Sequence, residues 1–348
     1  MQGVPACMSG NRQNIILHIG HGKTGSSYLQ SSLALSVGRL RDAGIEYPEV
    51  KPFARAKRGG ISSGNIGYDK AFVQTVTDVA RRHTNASRLL FSSEWLFHWI
   101  AEDGETLATL QESYDVTVVL FIREFLAHAI STYGQKVKRG GCTTSLGEYL
   151  AEDQFPHVAL KALQAAGRAG CRVATFNYSR HSGHLLDIFA ETVGVAPDTL
   201  VLPPVARVNR SLDETELALV RCFNAVLGKS SSELVADALC EKLPLHPTGT
   251  PRISRQDYQA YRDRVAPIEA TINPLLPPFE RYGVDELILI EDGTDGVDRV
   301  MGVTEAQLDV LAQSLGQEIV RLRALKPDKP PVQGWALRTI RAMVARLS

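Results

Sequence analysis

The sequence has no excess of either charge, because its 348 residues carry 38 lysines and arginines against 38 aspartates and glutamates. A chain without a basic surplus is not expected to bind nucleic acid through its overall charge. No window reaches 18 apolar residues, so we expect no segment that spans a membrane. The first 13 residues have no apolar stretch, which predicts that the chain carries no signal peptide.

Cysteine is scarce, with five residues that show no paired spacing. This number and distribution argue against a disulfide framework and are typical of a reducing compartment. His18 and His21 have no cysteine or carboxylate partner at metal-ligand spacing, and we therefore predict no metal site. The hydrophobic content of 44% and the charged content of 22% are those of an ordinary soluble globular protein. We expect a cytoplasmic protein.

The segment Asn14–Gln30 combines a short apolar run, a glycine-rich turn and the start of a helix. The run 15–19 is largely β-branched and is typical of a buried strand. Three glycines then let the backbone turn tightly and approach a ligand closely: Gly20, Gly22 and Gly25. The helix predicted from Ser26 directs its positive dipole end at the turn, and Lys23 adds a full charge there. The segment therefore predicts a phosphate or sulfate site.

Two common phosphate-binding patterns fit this turn incompletely. The nucleoside-triphosphate loop requires a glycine at position 17, where the chain has Leu17. The dinucleotide pattern of three glycines is present, but no acidic residue follows a clear second strand about 20 residues later.

The order of strand, Lys-Thr-Gly-Ser-Ser and helix resembles the 5′-phosphosulfate loop of sulfotransferases that use 3′-phosphoadenosine-5′-phosphosulfate (PAPS), specifically the bacterial cytosolic type. The resemblance implies an α/β fold, a parallel sheet flanked by helices of the P-loop NTPase-like sulfotransferase kind with a helical C-terminal region. It implies that the whole loop contacts PAPS, with Tyr28 in the place of an aromatic that stacks on adenine. The implied contacts are Gly22, Lys23, Thr24, Gly25, Ser26, Ser27 and Tyr28.

A second motif resembles the 3′-phosphate site of the same family. The strand-like run 115–122 leads into Arg123, and Ser131 follows eight residues later. An arginine fork and a hydroxyl so placed can donate to one phosphate. The family often has proline two residues after this arginine, where the chain has Phe125. A looser match, to a loop that closes over the nucleotide, adds Arg207 and Arg210 as phosphate contacts.

The transfer is predicted to need a cation at the leaving group and a general base. Lys23 is expected to stabilise the leaving phosphate. Glu94 follows the strand-like run 89–93 and is the first candidate for the general base, since relatives place a glutamate or a histidine there. It could instead cap the helix that starts at Trp95. His21 and His98 are the alternative bases.

Apolar runs and helical patterns alternate through the first 215 residues, which predicts a parallel sheet with helices on both faces. The predicted strands are 15–19, 45–47, 87–92, 115–122 and 171–177, and the predicted helices between them lie near 26–42, 67–83, 95–112, 124–138 and 156–168. Residues 14–215 are expected to form the PAPS-binding core, and 216–325 a helical region that shapes the acceptor cleft. Residues 326–348 are expected to form a proline-containing linker and a basic amphipathic helix.

These features predict a sulfotransferase that moves a sulfuryl group from PAPS to a hydroxyl, with an amine as the second choice, and requires no metal. The resemblance implies a carbohydrate or glycolipid acceptor. Two alternatives stay open, a P-loop kinase that uses ATP and Mg²⁺, and a non-catalytic nucleotide-binding module. The helix 335–347 could lie on an anionic membrane or dock on protein, and the sequence does not predict the oligomeric state.

Overall fold

The centre of the fold is a five-stranded, fully parallel sheet. In this computed structural model the described residues are 12–58, 62–67, 70–204, 210–247, 249–283, 290–291 and 302–324. The strands are β1 (Asn14–His18), β2 (Ile45–Glu46), β3 (Arg88–Ser92), β4 (Asp115–Ile122) and β5 (Arg172–Asn177). Their order across the sheet is β2-β3-β1-β4-β5, and every neighbouring pair is parallel. The predicted α/β class is confirmed, and the observed strands lie within one residue of the predicted ones.

The central strands are buried on both faces, as parallel strands covered by helices must be. In β4, every residue after Asp115 is buried, and the apolar run Val118–Ile122 has no exposed surface. Alternate residues of β1, β3 and β4 pack with the helices that cover one face, including Ile16, Leu90 and Phe121. Because both faces of these strands are buried, their sequences are nearly continuous apolar runs.

Helices connect the strands of this sheet and follow them in the chain. They are α1 (Ser26–Leu35), α2 (Val37–Asp42), α3 (Ala54–Lys57), α4 (Phe72–Arg82), α5 (Trp95–Glu102), α6 (Glu105–Ser113), α7 (Phe125–Gly140), α8 (Leu146–Glu152), α9 (Phe155–Arg168), α10 (Tyr178–His181), α11 (Leu185–Val193), α12 (Glu214–Leu227), α13 (Ala238–Lys242), α14 (Arg255–Ile272) and α15 (Glu305–Ala324). Two predicted helices are each broken into two, the first at Ser36 and the second at Asp103 and Gly104.

The chain divides into two compact units that are discontinuous in sequence. The first comprises 1–129, 152–208 and 259–287, and the second comprises 130–151, 209–258 and 288–348. The predicted boundary after 215 lies close to the division at 208. The two units differ from the predicted continuous core, because 130–151 belongs to the second unit and 259–287 to the first. Such exchanges depend on long-range packing, which a reading of local periodicity does not detect.

The second unit has its own apolar core. It is built from one side of several helices, with Val137, Val220, Val235 and Leu239 among its fully buried residues. A short parallel pair, β6 (Ile253–Ser254) and β7 (Ile290–Glu291), completes it. Within the described part of the chain, no helix combines the length and the apolar character needed to cross a bilayer. The predicted linker and helix at 326–348 lie outside the described residues.

Candidate active site

Three neighbouring strands deliver three of the predicted site residues to one edge of the sheet. Strand β1 lies between β3 and β4, with Leu17 in register with Phe91 on one side and Val118 on the other. Parallel strands end at the same edge, so the segments that follow β1, β3 and β4 meet there. These segments carry Lys23, Glu94 and Arg123 respectively. The chain leaves β1 towards β2 and leaves β4 towards β5 in the opposite direction, which opens a crevice at the ends of β1 and β4.

The glycine turn after β1 holds an unusual backbone conformation at Lys23. Its φ is 72°, which makes it the one non-glycine residue with positive φ in the described chain. Residues that are held in this sparsely populated region often lie at functional sites. Gly25 has φ 75° and is the N-cap residue of α1, so the N-cap position offers no side-chain acceptor to the first N–H groups of that helix. The turn therefore combines a cation with the uncapped positive end of a helix.

A larger residue at Gly25 would displace the side chains that pack against the turn. A Cβ atom at this position would lie 2.7 Å from Cδ2 of Leu185 and 3.0 Å from Cε2 of Tyr178. Both side chains belong to the segment after β5. The close approach explains why the loop needs glycine here in addition to the positive φ.

The hydroxyl groups of the loop support its shape. The Thr24 hydroxyl is buried and donates to the His21 carbonyl at 2.7 Å. The Ser26 hydroxyl reaches the same carbonyl at 3.4 Å, and that of Ser27 donates to the carbonyl of Ser62 at 3.4 Å. Thr24 was predicted to bind the cofactor. Its hydroxyl supports the turn, and its contact with the cofactor stays a prediction.

His21 is enclosed beneath the turn. Its side chain has no exposed surface, and its Nδ1 donates to the Gly22 carbonyl at 2.8 Å. The ring contacts those of Phe97, His128 and Phe155 at centroid distances of 5.1, 4.8 and 4.6 Å. Burial lowers the pKa of His21 to about 3, so the imidazole is neutral at physiological pH. This environment favours a structural role over the predicted role as a base, because the ring is shielded from any acceptor.

Glu94 is placed where a general base could act. Its Oε2 lies 3.9 Å from the position that a Cβ on Gly22 would take, so its carboxylate borders the glycine turn. Burial raises the pKa of Glu94 above its ordinary value, against the opposing effects of the Lys23 charge and a hydrogen bond with Ser26. Glu94 occupies the N-cap position of α5, yet its side chain makes no capping hydrogen bond. The structure thus disfavours the capping alternative. His98, the other candidate base, is exposed one helical turn later.

Arg123 contacts the glycine turn directly. Its NH1 group donates to the Lys23 carbonyl at 3.1 Å, and its guanidinium lies 5.8 Å from the centre of the Tyr178 ring. Its charge also contributes to the low pKa of His21. Two cationic side chains therefore share one crevice edge. Arg123 therefore lies against the glycine turn itself.

The partners of the Arg210 side chain argue against the prediction that it binds a phosphate. Its guanidinium is buried and forms a bidentate pair with Glu216, at 2.6 and 2.8 Å. Its remaining hydrogen bonds go to the carbonyls of Ser211, Leu239 and Leu243. All five N–H groups thus have partners within the second unit.

The remaining predicted contacts are Tyr28, Ser131 and Arg207. Tyr28 is half-buried and packs against the apolar cluster beneath the sheet, which supports a packing role. Ser131 is half-buried in α7 within the second unit, and its contact with a phosphate stays a prediction. Arg207 lies outside the described residues.

A residue missed in the sequence, Asn65, fixes the end of β3 just before Glu94. Its side chain is fully buried, donates to the carbonyls of Pro48 and Leu90, and accepts from the Ser92 N–H at 2.7 Å. The preceding Gly64 has φ 102° and forms an isolated bridge with Ser93. The polar, glycine-rich sequence around Asn65 gave no periodic signal, so only the fold identifies it.

One group in the second unit has the side chains of a metal site, with ligand atoms of Asp213, Glu216 and His246 within 4.8 Å of one another. Each already has a partner. Asp213 and Glu216 form the capping box of α12, Glu216 pairs with Arg210, and His246 Nε2 lies 2.6 Å from Asp213 Oδ2. These contacts account for the cluster without an ion.

Comparison with known proteins gives no relative to reason from. No protein-family model, no curated protein and no solved structure matches the chain. The functional assignment therefore depends on the chemistry of the site.

Proposed function

We propose that the protein is a sulfotransferase that moves the sulfuryl group of PAPS to a hydroxyl of its acceptor. The observation that carries this proposal is the hydrogen bond from Arg123 to the Lys23 carbonyl, with the Glu94 carboxylate beside the same turn. One edge of the sheet thus offers two cations and an uncapped helix end to an anion, and a carboxylate to a proton.

Each residue has a distinct task in this reaction. PAPS, when bound, supplies the activated sulfuryl group. Glu94 would take the proton of the acceptor hydroxyl. The hydroxyl oxygen would then form its bond to sulfur while the bond between sulfur and the bridging phosphate oxygen of PAPS breaks. Lys23 and the N–H groups of the first turn of α1 stabilise the negative charge that develops on the leaving phosphate. Arg123 holds the nucleotide through its phosphate groups. The raised pKa of Glu94 makes its carboxylate a stronger base.

The sheet supports a P-loop sulfotransferase type of fold over a dinucleotide-binding one. Its order β2-β3-β1-β4-β5 differs from the 3-2-1-4-5-6 order of dinucleotide-binding folds and from the 2-1-3-4-5 order of flavodoxin-like folds. The kinase alternative lacks the first glycine of its loop, because Leu17 lies fully buried inside β1. By resemblance we propose a cytoplasmic enzyme with a carbohydrate or glycolipid acceptor.

Nucleotide preference tests the proposal against the kinase alternative. Adenosine 3′,5′-bisphosphate should raise the melting temperature of the protein, whereas ATP with Mg²⁺ should raise it less at the same concentration. The shift should disappear in Arg123→Ala and persist in Arg172→Ala, a matched change of an exposed arginine. A larger shift with ATP and Mg²⁺ would favour the kinase.

Transfer of labelled sulfate from PAPS to a panel of acceptors separates an enzyme from a binding module. Glu94→Gln should bind adenosine 3′,5′-bisphosphate as the wild type does and lose turnover by about two orders of magnitude or more. Wild-type protein that binds the nucleotide and modifies no acceptor would favour the module. Undiminished turnover in Glu94→Gln would show that another residue is the base.

A further inference from the structure

An exposed apolar loop projects from the first unit between α14 and residue 280. In the sequence Pro-Leu-Leu-Pro-Pro-Phe of 274–279, all residues except Leu276 are exposed, with Phe279 at 83% and Leu275 at 51%. Two short 3₁₀ turns and three prolines fix its backbone. Among the other exposed large apolar residues of the described chain, Leu202 and Leu245 stand apart in the sequence, whereas Ile319, Val320 and Leu322 lie close together on α15. A contiguous apolar protrusion of this kind marks an interaction site.

Buried contacts fasten the loop to the edge of the sheet that carries the candidate active site. Glu280 is buried and accepts from the N–H of Asn177, the last residue of β5, at 2.6 Å. The Tyr282 ring stacks on Phe125 at a centroid distance of 4.1 Å. The Gly283 N–H donates to the carboxylate of Glu124, the neighbour of Arg123, at 3.1 Å. The apolar tip is therefore held rigidly next to the crevice.

Two arginines stand at the base of the loop. Arg180 donates to the Arg281 carbonyl at 2.7 Å, and both residues are exposed. A short apolar tip with cations at its base matches the interface of an anionic bilayer, where apolar side chains enter the acyl boundary and arginines meet lipid phosphates. A stable protein interface needs about 20–30 residues on each side, far more than this six-residue tip presents.

We propose that the loop 274–279 docks the protein on anionic membrane surfaces, with Phe279 and Leu275 entering the headgroup region and Arg180 and Arg281 contacting lipid phosphates. Docking by this loop would bring the carboxyl edge of the sheet to the lipid surface. The proposal does not depend on the sulfotransferase assignment, because it concerns binding of the protein to lipid alone.

Co-sedimentation of the full chain with vesicles of equal parts phosphatidylglycerol and phosphatidylcholine tests the apolar contacts. The double variant L275S/F279S should bind these vesicles at least about tenfold more weakly than the wild type. The matched control L202S/L245S removes two apolar side chains elsewhere that are at least as exposed, and it should bind as the wild type does. All four positions are exposed, so thermal melts of both variants should match the wild type.

Charge and location are tested separately. R180Q/R281Q should weaken binding to the phosphatidylglycerol vesicles by about tenfold and leave binding to pure phosphatidylcholine vesicles unchanged. Hydrogen exchange of the peptide 274–283 should slow when the anionic vesicles are added. The proposal is overturned if the wild type does not bind the anionic vesicles. It is equally overturned if L275S/F279S binds them as well as L202S/L245S does, since binding would then reside in another part of the chain.

Discussion

Replacing Lys23 by glycine and, separately, by alanine distinguishes backbone strain from ligand binding at the same residue. The left-handed conformation of Lys23, with φ 72°, costs a residue with a side chain about 1–2 kcal/mol. Glycine avoids this cost but loses about 0.5–1 kcal/mol more conformational freedom on folding. We therefore expect Lys23→Gly to unfold with a free energy about 0.5–1 kcal/mol higher than that of Lys23→Ala.

Binding should respond differently, because both variants lack the ammonium group. A hydrogen bond to a charged group contributes about 1.5–3 kcal/mol, so each variant should bind adenosine 3′,5′-bisphosphate about one to two orders of magnitude more weakly than the wild type. Lys23→Gly would then be more stable than Lys23→Ala and would still bind the bisphosphate more weakly than the wild type. This combination is the signature of strain that is retained for function.

Urea denaturation and titration calorimetry measure the two quantities. Lys229→Ala, which removes an exposed lysine of the second unit, serves as the control and should change neither. If Lys23→Gly is less stable than Lys23→Ala, the conformation of the turn is not strained and the reasoning fails. If both variants bind the bisphosphate as tightly as the wild type, Lys23 does not contact the ligand and the proposed function loses its main support.

Three further predictions follow from the contacts described above. Gly25→Ala should destabilise the protein by about 2–5 kcal/mol, because its Cβ would enter the wall of the turn at a positive φ, whereas Gly38→Ala, with open space around it, should be neutral or slightly stabilising in thermal melts. Arg210→Ala should cost about 3–5 kcal/mol of stability without weakening nucleotide binding, whereas Arg321→Ala, which breaks an exposed pair, should cost less than about 1 kcal/mol in urea titrations. Glu94→Gln should be more stable than the wild type at pH 7, because the folded state raises the pKa of this carboxyl and so disfavours its charge. That advantage should vanish as the pH falls below the ordinary value of 4.5, and an advantage that persists there would contradict the assigned cause.

The sequence identified those residues of the candidate site that follow a recognisable strand-like run. Strand β4 was predicted at both of its ends, because a strand buried on both faces is a continuous apolar run. Lys23, Glu94 and Arg123 were each identified from their position just after such a run. Their convergence follows from a single geometric rule, since parallel neighbours end at one edge. The contact between Arg123 and the Lys23 carbonyl joins residues 100 positions apart and needed the fold.

Residues that look alike in the sequence have different environments in the fold, and only the tertiary structure distinguishes them. Arg123 and Arg210 both follow strand-like or turn sequences and read alike as phosphate ligands. The guanidinium of Arg210 instead donates to the Glu216 carboxylate and to backbone carbonyls 29 and 33 residues away. His21 likewise reads as a loop base, but the rings of Phe97 and Phe155 from distant helices enclose it.

The sequence by itself determined the class of the fold and the strands of the sheet, and it predicted an anion site at the glycine turn, because periodicity, glycine and charge act over a few residues. Only the tertiary structure decided which side chains remain available to a ligand, where the two units divide and that the loop 274–279 stays exposed beside the crevice. Those outcomes depend on which distant groups are brought into contact, and burial and hydrogen-bond satisfaction are properties of the packed chain.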